Sequence, residues 1–208
     1  MTATKPGPEL IDPTGTTSGH VLTSTGGSTA PTFQAGGGGW EFVSKTTAAS
    51  DTTLSWTGFE TGYDYHIVAN GLDRTADGSA VWQFGTGGTP TYQTTGYASA
   101  IGGAGNASAL ASQSHNTASI NATETNNGGA DAGEEGNFAV TIIDPGNSSY
   151  FTSIYGMYWG STSTANGQQT HMVGGRRETA EAVTAVRLVI SGGNWPTGDL
   201  FLYRRANS

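Results

Sequence analysis

From Trp40 onward the large apolar residues of this 208-residue chain fall at every second position, in short runs broken by Gly, Asn, Asp and Pro. That period points to strands and away from helices, because side chains alternate across a strand whereas a helix repeats near 3.6 residues. In Tyr63-Asp64-Tyr65-His66-Ile67-Val68, Tyr63, Tyr65 and Ile67 share one face and Asp64 and His66 the other. Phe138, Val140 and Ile142 repeat the pattern, as do Val186, Leu188 and Ile190. One apolar and one polar face is the habit of antiparallel sheets. Strands are expected at 40–45, 53–57, 63–70, 80–85, 138–143, 150–159, 170–173, 184–191 and 200–204. This many short strands predict an all-β fold, an antiparallel β-sandwich of jelly-roll type, over residues 40–208.

Composition narrows the reading further. Glycine occupies 33 positions and charged residues only 12% of the chain; an average chain has roughly 7% glycine and about 25% charged residues. Helix formers are correspondingly scarce, with lysine at Lys5 and Lys45 alone. Five tryptophans, eight tyrosines and seven phenylalanines supply the apolar area that a packed core needs. A net charge of −8 excludes the basic surface of a nucleic-acid binder. The absence of cysteine removes disulfides, thiolate metal sites and cysteine nucleophiles together. No apolar run reaches the eighteen or so residues of a membrane span, and the N-terminus lacks the apolar stretch of a secretory signal, so no membrane insertion is expected.

Residues 1–39 read differently from the rest. Pro6, Pro8, Pro13 and Pro31, with Gly26-Gly27 and the run Gly36 to Gly39, describe an extended arm that ends in a glycine linker. Its one apolar alternation, Val21-Leu22 and Phe33, is too small to bury itself and calls for a partner surface. Within the head, the strand signal fades between Thr95 and Gly136, where Ile101, Leu110 and Ile120 are the only large aliphatics. That stretch is expected to be an exposed functional loop or a set of weak edge strands.

Residues able to carry chemistry are scattered. A glycosidase needs two facing carboxylates, and Asp64, Asp73, Asp77, Glu124, Asp131, Glu134 and Glu135 offer no spacing that pairs them. They read as surface charges and turn residues. His20, His66, His115 and His171 lack metal-ligand spacing, and the acidic loop at 131–135 does not match a calcium loop. No metal or cofactor is expected, and no Gly-x-Ser-x-Gly elbow is present. The segment 150–159 is aromatic on both faces, with Tyr150, Ile154 and Tyr158 on one and Phe151, Tyr155, Met157 and Trp159 on the other. A strand apolar on both sides packs the sandwich with one and meets a neighbour or ligand with the other, which makes Tyr155, Met157 and Trp159 candidates for subunit packing. Aromatic faces also stack on sugar rings; Trp82, Trp159, Tyr92, Tyr97 and Trp195, with Asn126 and Asn127, are the glycan-contact candidates. Arg176-Arg177 and Arg204-Arg205 are placed to pair with Glu178, Glu181, a neighbour's carboxylates or an acidic saccharide.

The arm carries a recognisable pattern. Gly15-Thr-Thr-Ser-Gly19-His20-Val21-Leu22-Thr23-Ser24-Thr-Gly26, followed by Ala30-Pro31-Thr32-Phe33, resembles an element that precedes the globular head in fibre and other virion proteins of tailed bacteriophages, with His20 in place of a usual Gln and Phe33 in place of a usual Trp. The ending, from Arg176-Arg177 through Ala185-Val186-Arg187-Leu188 and Ser191-Gly192-Gly193-Asn194 to Leu200-Phe201-Leu202-Tyr203-Arg204, is similar to the end of those heads. The resemblance implies a homotrimer at the virion surface, assembled in the host cytoplasm. It also implies an arm, carrying Val21, Leu22 and Phe33, that attaches to other virion proteins of tail or capsid, and a head that binds bacterial surface polysaccharide. A capsid decoration or head fibre that needs no receptor is the alternative, and a glycan depolymerase is a third.

Overall fold

The computed structural model describes residues 20–23, 32–35, 39–105, 108–123, 134–161 and 167–207. They fall into two compact units, Met1–Gly39 and Trp40–Ser208. In the first, β1 (His20–Thr23) and β2 (Thr32–Ala35) form a two-stranded antiparallel sheet in which Leu22 stands opposite Phe33. The arm's short apolar runs thus pair with each other along the backbone.

The second unit is all-β, and among its described residues no helix forms. Its strands are β3 (Glu41–Thr47), β4 (Thr53–Thr57), β5 (Tyr63–Leu72), β6 (Ala80–Thr86), β7 (Thr91–Tyr92), β8 (Tyr97–Gly105), β9 (Ser108–Thr117), β10 (Ile120–Asn121), β11 (Gly136–Ile143), β12 (Ser153–Ser161), β13 (Gln168–Arg177), β14 (Val183–Ile190) and β15 (Asp199–Ala206). They build an eight-stranded sheet in the order β3-β15-β5-β11-β12-β13-β8-β9 and a smaller one in the order β10-β6-β14-β4, with β7 beside β6. All pairings are antiparallel, and the chain crosses repeatedly between the sheets.

The period-two residues meet between the sheets. Trp56, Trp82, Phe84, Val186 and Leu188 come from the smaller sheet, and Tyr65, Ile67, Phe138, Val140, Ile154 and Tyr158 from the larger; all are buried. Trp82 meets Phe138 edge-on at 5.7 Å between ring centroids, and Phe138 meets Tyr158 at 4.9 Å. Aromatic pairs in such tilted and edge-to-face geometry add to the area they bury.

Two expectations change here. Among the described residues of 95–136, strands are the outcome: β8 and β9 are long, and β8 lies between β13 and β9 rather than at an edge. Their signal is weak because Gly and Ala fill positions where backbones approach closely; a Cβ on Gly103 would sit 2.5 Å from the His171 Cα. The strand expected at 150–159 begins at Ser153. Tyr150 and Phe151 therefore lie in the loop after β11, both solvent-exposed, and Tyr150 does not share the buried face of Ile154 and Tyr158.

Candidate functional site

Alternation along β12 decides what the outer face of the large sheet presents. Ile154 and Tyr158 point into the core at 1% exposure, which turns Tyr155, Met157 and Trp159 outward at 54%, 46% and 39%. On β13, Met172 stands opposite Met157 and is 66% exposed. The flanking positions are small: Ala139 on β11 faces Met157, while Gly174 beside Tyr155 continues to Ala100 on β8, and Met172 to Gly102. The result is an aromatic and methionine ridge above a shallow floor. Side chains of this size each offer about 150–250 Å², so the four leave roughly 400 Å² of apolar area open. That is the size of the largest apolar patch on an ordinary monomer, and such patches are often functional.

A second feature lies at the end of the sheet where β11 leaves it. The loop opens on Asp144-Pro145-Gly146-Asn147, a turn closed by the Asn147 N–H donating to the Asp144 carbonyl at 3.1 Å. Asp144 adopts a φ of 35°, and Gly146 lies so close to the 60–61 backbone that a Cβ there would stand 2.5 Å from the Glu60 carbonyl carbon. The loop is also fastened from β5 and the turn before it: Gly62 N–H donates to Asp144 Oδ1 at 2.9 Å, and Asp144 N–H donates to Asp64 Oδ1 at 3.1 Å. Between loop and chain end runs a groove of about 430 Å³ lined by Asp64, Asp144, Tyr150, Phe151, Ser153 and Asn207, among others. Arg176 reaches across from β13 to lie over the Phe151 ring at 5.2 Å.

No protein-family model, curated protein or solved structure matches this chain.

Three of the sequence-derived glycan candidates lie in the core, while Trp159 stays exposed on the outer face. Tyr97 and Trp195 are fully buried and present no face to a ligand, and the same holds for Trp82. The Phe84 N–H donates to the Tyr97 hydroxyl at 2.8 Å, so this tyrosine locks β8 to β6 instead. Trp195 sits under the Arg74 guanidinium, 5.0 Å from it, and is pinned by backbone bonds to Asp51. Tyr92 is half-buried with Arg187 over its ring at 4.2 Å. Asn126 and Asn127 lie outside the described residues, as do Glu124 and Asp131. The side chains of Val21, Leu22 and Phe33 are likewise outside what is described.

The basic pairs find the chain's own carboxylates. Arg177 meets Glu181 at 2.6 Å, Arg204 meets Glu41 at 3.0 Å, Arg205 meets Asp64 at 2.8 Å, and Arg176 approaches Glu178 at 4.0 Å. Of the remaining acids, Asp73 accepts the Arg74 N–H, Glu134 is buried and Glu135 exposed. His171 is stacked on Tyr158 and buried, which holds its imidazole below the ordinary range. Burial also lowers His66, whose Nδ1 lies 2.9 Å from Thr141 Oγ1. Among the described residues no three His, Asp or Glu side chains converge as metal ligands.

Tyr150 and Phe151 belong to a loop although their apolar character suits a strand. The signal that locates them is the Asp-Pro-Gly-Asn turn shortly before the two aromatics, which marks a rigid loop with large side chains at its tip.

Proposed function

We propose that this chain is a virion protein of a tailed bacteriophage: a non-enzymatic trimeric fibre or spike whose N-terminal unit fastens to the particle and whose head meets the glycan surface of the host. The observation that carries the reading is the outward row of Tyr155, Met157, Trp159 and Met172 on the outer face of the large sheet. A head whose second apolar face is covered by copies of itself accounts for that row, since closed symmetric assemblies bury the same patch on every subunit. The arm fits an attachment role: its Gly-rich, virion-like element is a separate compact unit, joined to the head at Gly39. Three heads per fibre and many fibres per particle turn a weak single-site contact into firm adhesion.

The test is immunogold labelling of particles from the phage that encodes the chain, with an antibody to residues 40–208. Label on the particle supports a virion role, at the tail tip for a receptor-binding fibre and over the shell for a head fibre. Particles without label refute the assignment.

A further inference from the structure

We infer that the groove between the β11–β12 loop and the chain end is the head's sugar site, built for a neutral, hydroxyl-rich pyranoside stacked on Tyr150 and held by Asp144; the inference rests on the attachment reading above. Tyr150 is 71% exposed, the most open of the large hydrophobic residues among those described, and contributes nothing to the core. An aromatic ring held in water on a fastened loop is a platform for the CH face of a sugar, which is apolar while its rim is hydroxyl-bearing. Beside it Phe151 is 46% exposed on one side and capped by Arg176 on the other, so its position is fixed.

The polar groups select the ligand. Asp144 Oδ1 accepts the Gly62 N–H at 2.9 Å, and Oδ2 accepts the Asn147 side-chain amide at 2.8 Å. Each carboxylate oxygen has a second lone pair, so Asp144 is oriented by the protein and still able to accept two sugar hydroxyls. Asp64 supports it from behind, accepting the Asp144 N–H and the Arg205 guanidinium. The groove's two acids, Asp64 and Asp144, are balanced by Arg205 on Asp64 and by Arg176 over the Phe151 ring, so no net charge draws an anionic or a cationic sugar, and the acceptor oxygens suit neutral hydroxyls. Its volume of about 430 Å³ falls within the range of small-molecule sites. The Asp144 φ of 35° and the close seating of Gly146 keep the loop preformed, which lowers the entropy lost on binding.

The test uses the full chain on an array carrying neutral hexose, N-acetylhexosamine, amino-sugar and uronate oligosaccharides, with Tyr150→Ala and Asp144→Asn compared at equal loading. Retention on neutral oligosaccharides, falling tenfold or more in Tyr150→Ala and in Asp144→Asn, is the expected result. Because Asp144 also fastens the loop, Tyr150→Ala, which removes an exposed ring, is the deciding variant, and its melting temperature should match the parent's. Binding that survives in Tyr150→Ala, preference for uronates or amino sugars, or no binding at all overturns the inference. The virion assignment is judged separately: labelled particles together with a silent array sink the sugar site and leave that assignment standing.

Discussion

Replacing Gly156 by alanine places a methyl group well inside the contact distance of the Ala139 carbonyl oxygen and 2.6 Å from the Val140 Cα. Both obstructing atoms are backbone of β11, which is hydrogen-bonded to β5 on one side and β12 on the other. No rotamer change relieves the clash; two interior strands must separate. Overpacking of this kind costs about 1–3 kcal/mol, and the backbone nature of the obstacle puts Gly156→Ala near the upper end, about 3 kcal/mol. Alanine recovers about 0.5 kcal/mol by restricting the unfolded chain, which leaves a net loss of roughly 2.5 kcal/mol. At about 2–4 °C per kcal/mol for a domain of this size, the melting temperature falls by roughly 5–10 °C. Gly88, where an added Cβ would meet nothing within 4 Å and φ is not positive, is the control. Gly88→Ala should hold or raise the melting point by about 1–3 °C. Thermal denaturation followed by circular dichroism at one protein concentration reads both. If Gly156→Ala melts within a degree of the parent, or the two variants shift alike, the close approach of β11 and β12 is wrong.

Removing the Tyr97 hydroxyl leaves the buried Phe84 N–H without its acceptor, so Tyr97→Phe should lose about 1–3 kcal/mol in urea denaturation although it changes a single oxygen. Stability should also fall with acid below neutrality. Burial depresses His171 and His66 in the folded state, so the unfolded chain takes up protons first as pH drops below about 6.5, and each histidine withdraws up to about 1.4 kcal/mol per pH unit until its folded form also protonates. Denaturation midpoints at pH 7.5, 6 and 5 should decline in that order, and His171→Gln should flatten the decline; an unchanged slope means that His171 is not a source of the acid sensitivity. By contrast, the Lys45–Asp199 pair at 2.8 Å is solvent-exposed, so Asp199→Asn should leave the melting curve unchanged.

The sandwich was legible because its inward residues are large and alternate: Tyr65-Ile67, Phe138-Val140-Ile142 and Val186-Leu188 sit in the core where period two puts them. Strands β8 and β9 were not, because small residues such as Gly102, Gly103, Ala104 and Ala111 pair by backbone proximity and leave no apolar side-chain rhythm. The outward turn of Tyr155, Met157 and Trp159 follows from the same alternation and was readable. The burial of Tyr97 and Trp195 was not, since an aromatic within a Gly-rich stretch reads as exposed unless a distant partner covers it. Trp195 follows Gly192-Gly193-Asn194, yet Asp51 and Arg74, both far upstream in the chain, close over it. Local sequence carries no trace of such contacts. The arginine pairs fell between these cases: Arg177 and Glu181 are neighbours in sequence, whereas Arg205 and Asp64 are joined only by the pairing of β15 with β5.

The trimeric head stands or falls on whether copies of the chain cover the outer face of the large sheet. Multi-angle light scattering of the 208-residue chain at physiological salt measures this without any knowledge of host or receptor. Three chains of 21.3 kDa give a predicted mass of about 64 kDa, and Met157→Glu with Met172→Glu, which sets two charges opposite each other on that face, should return the single-chain mass with the fold intact by circular dichroism. A parent protein that runs at 21.3 kDa across the concentration range, or a double variant that stays trimeric, means that this face is not the subunit interface.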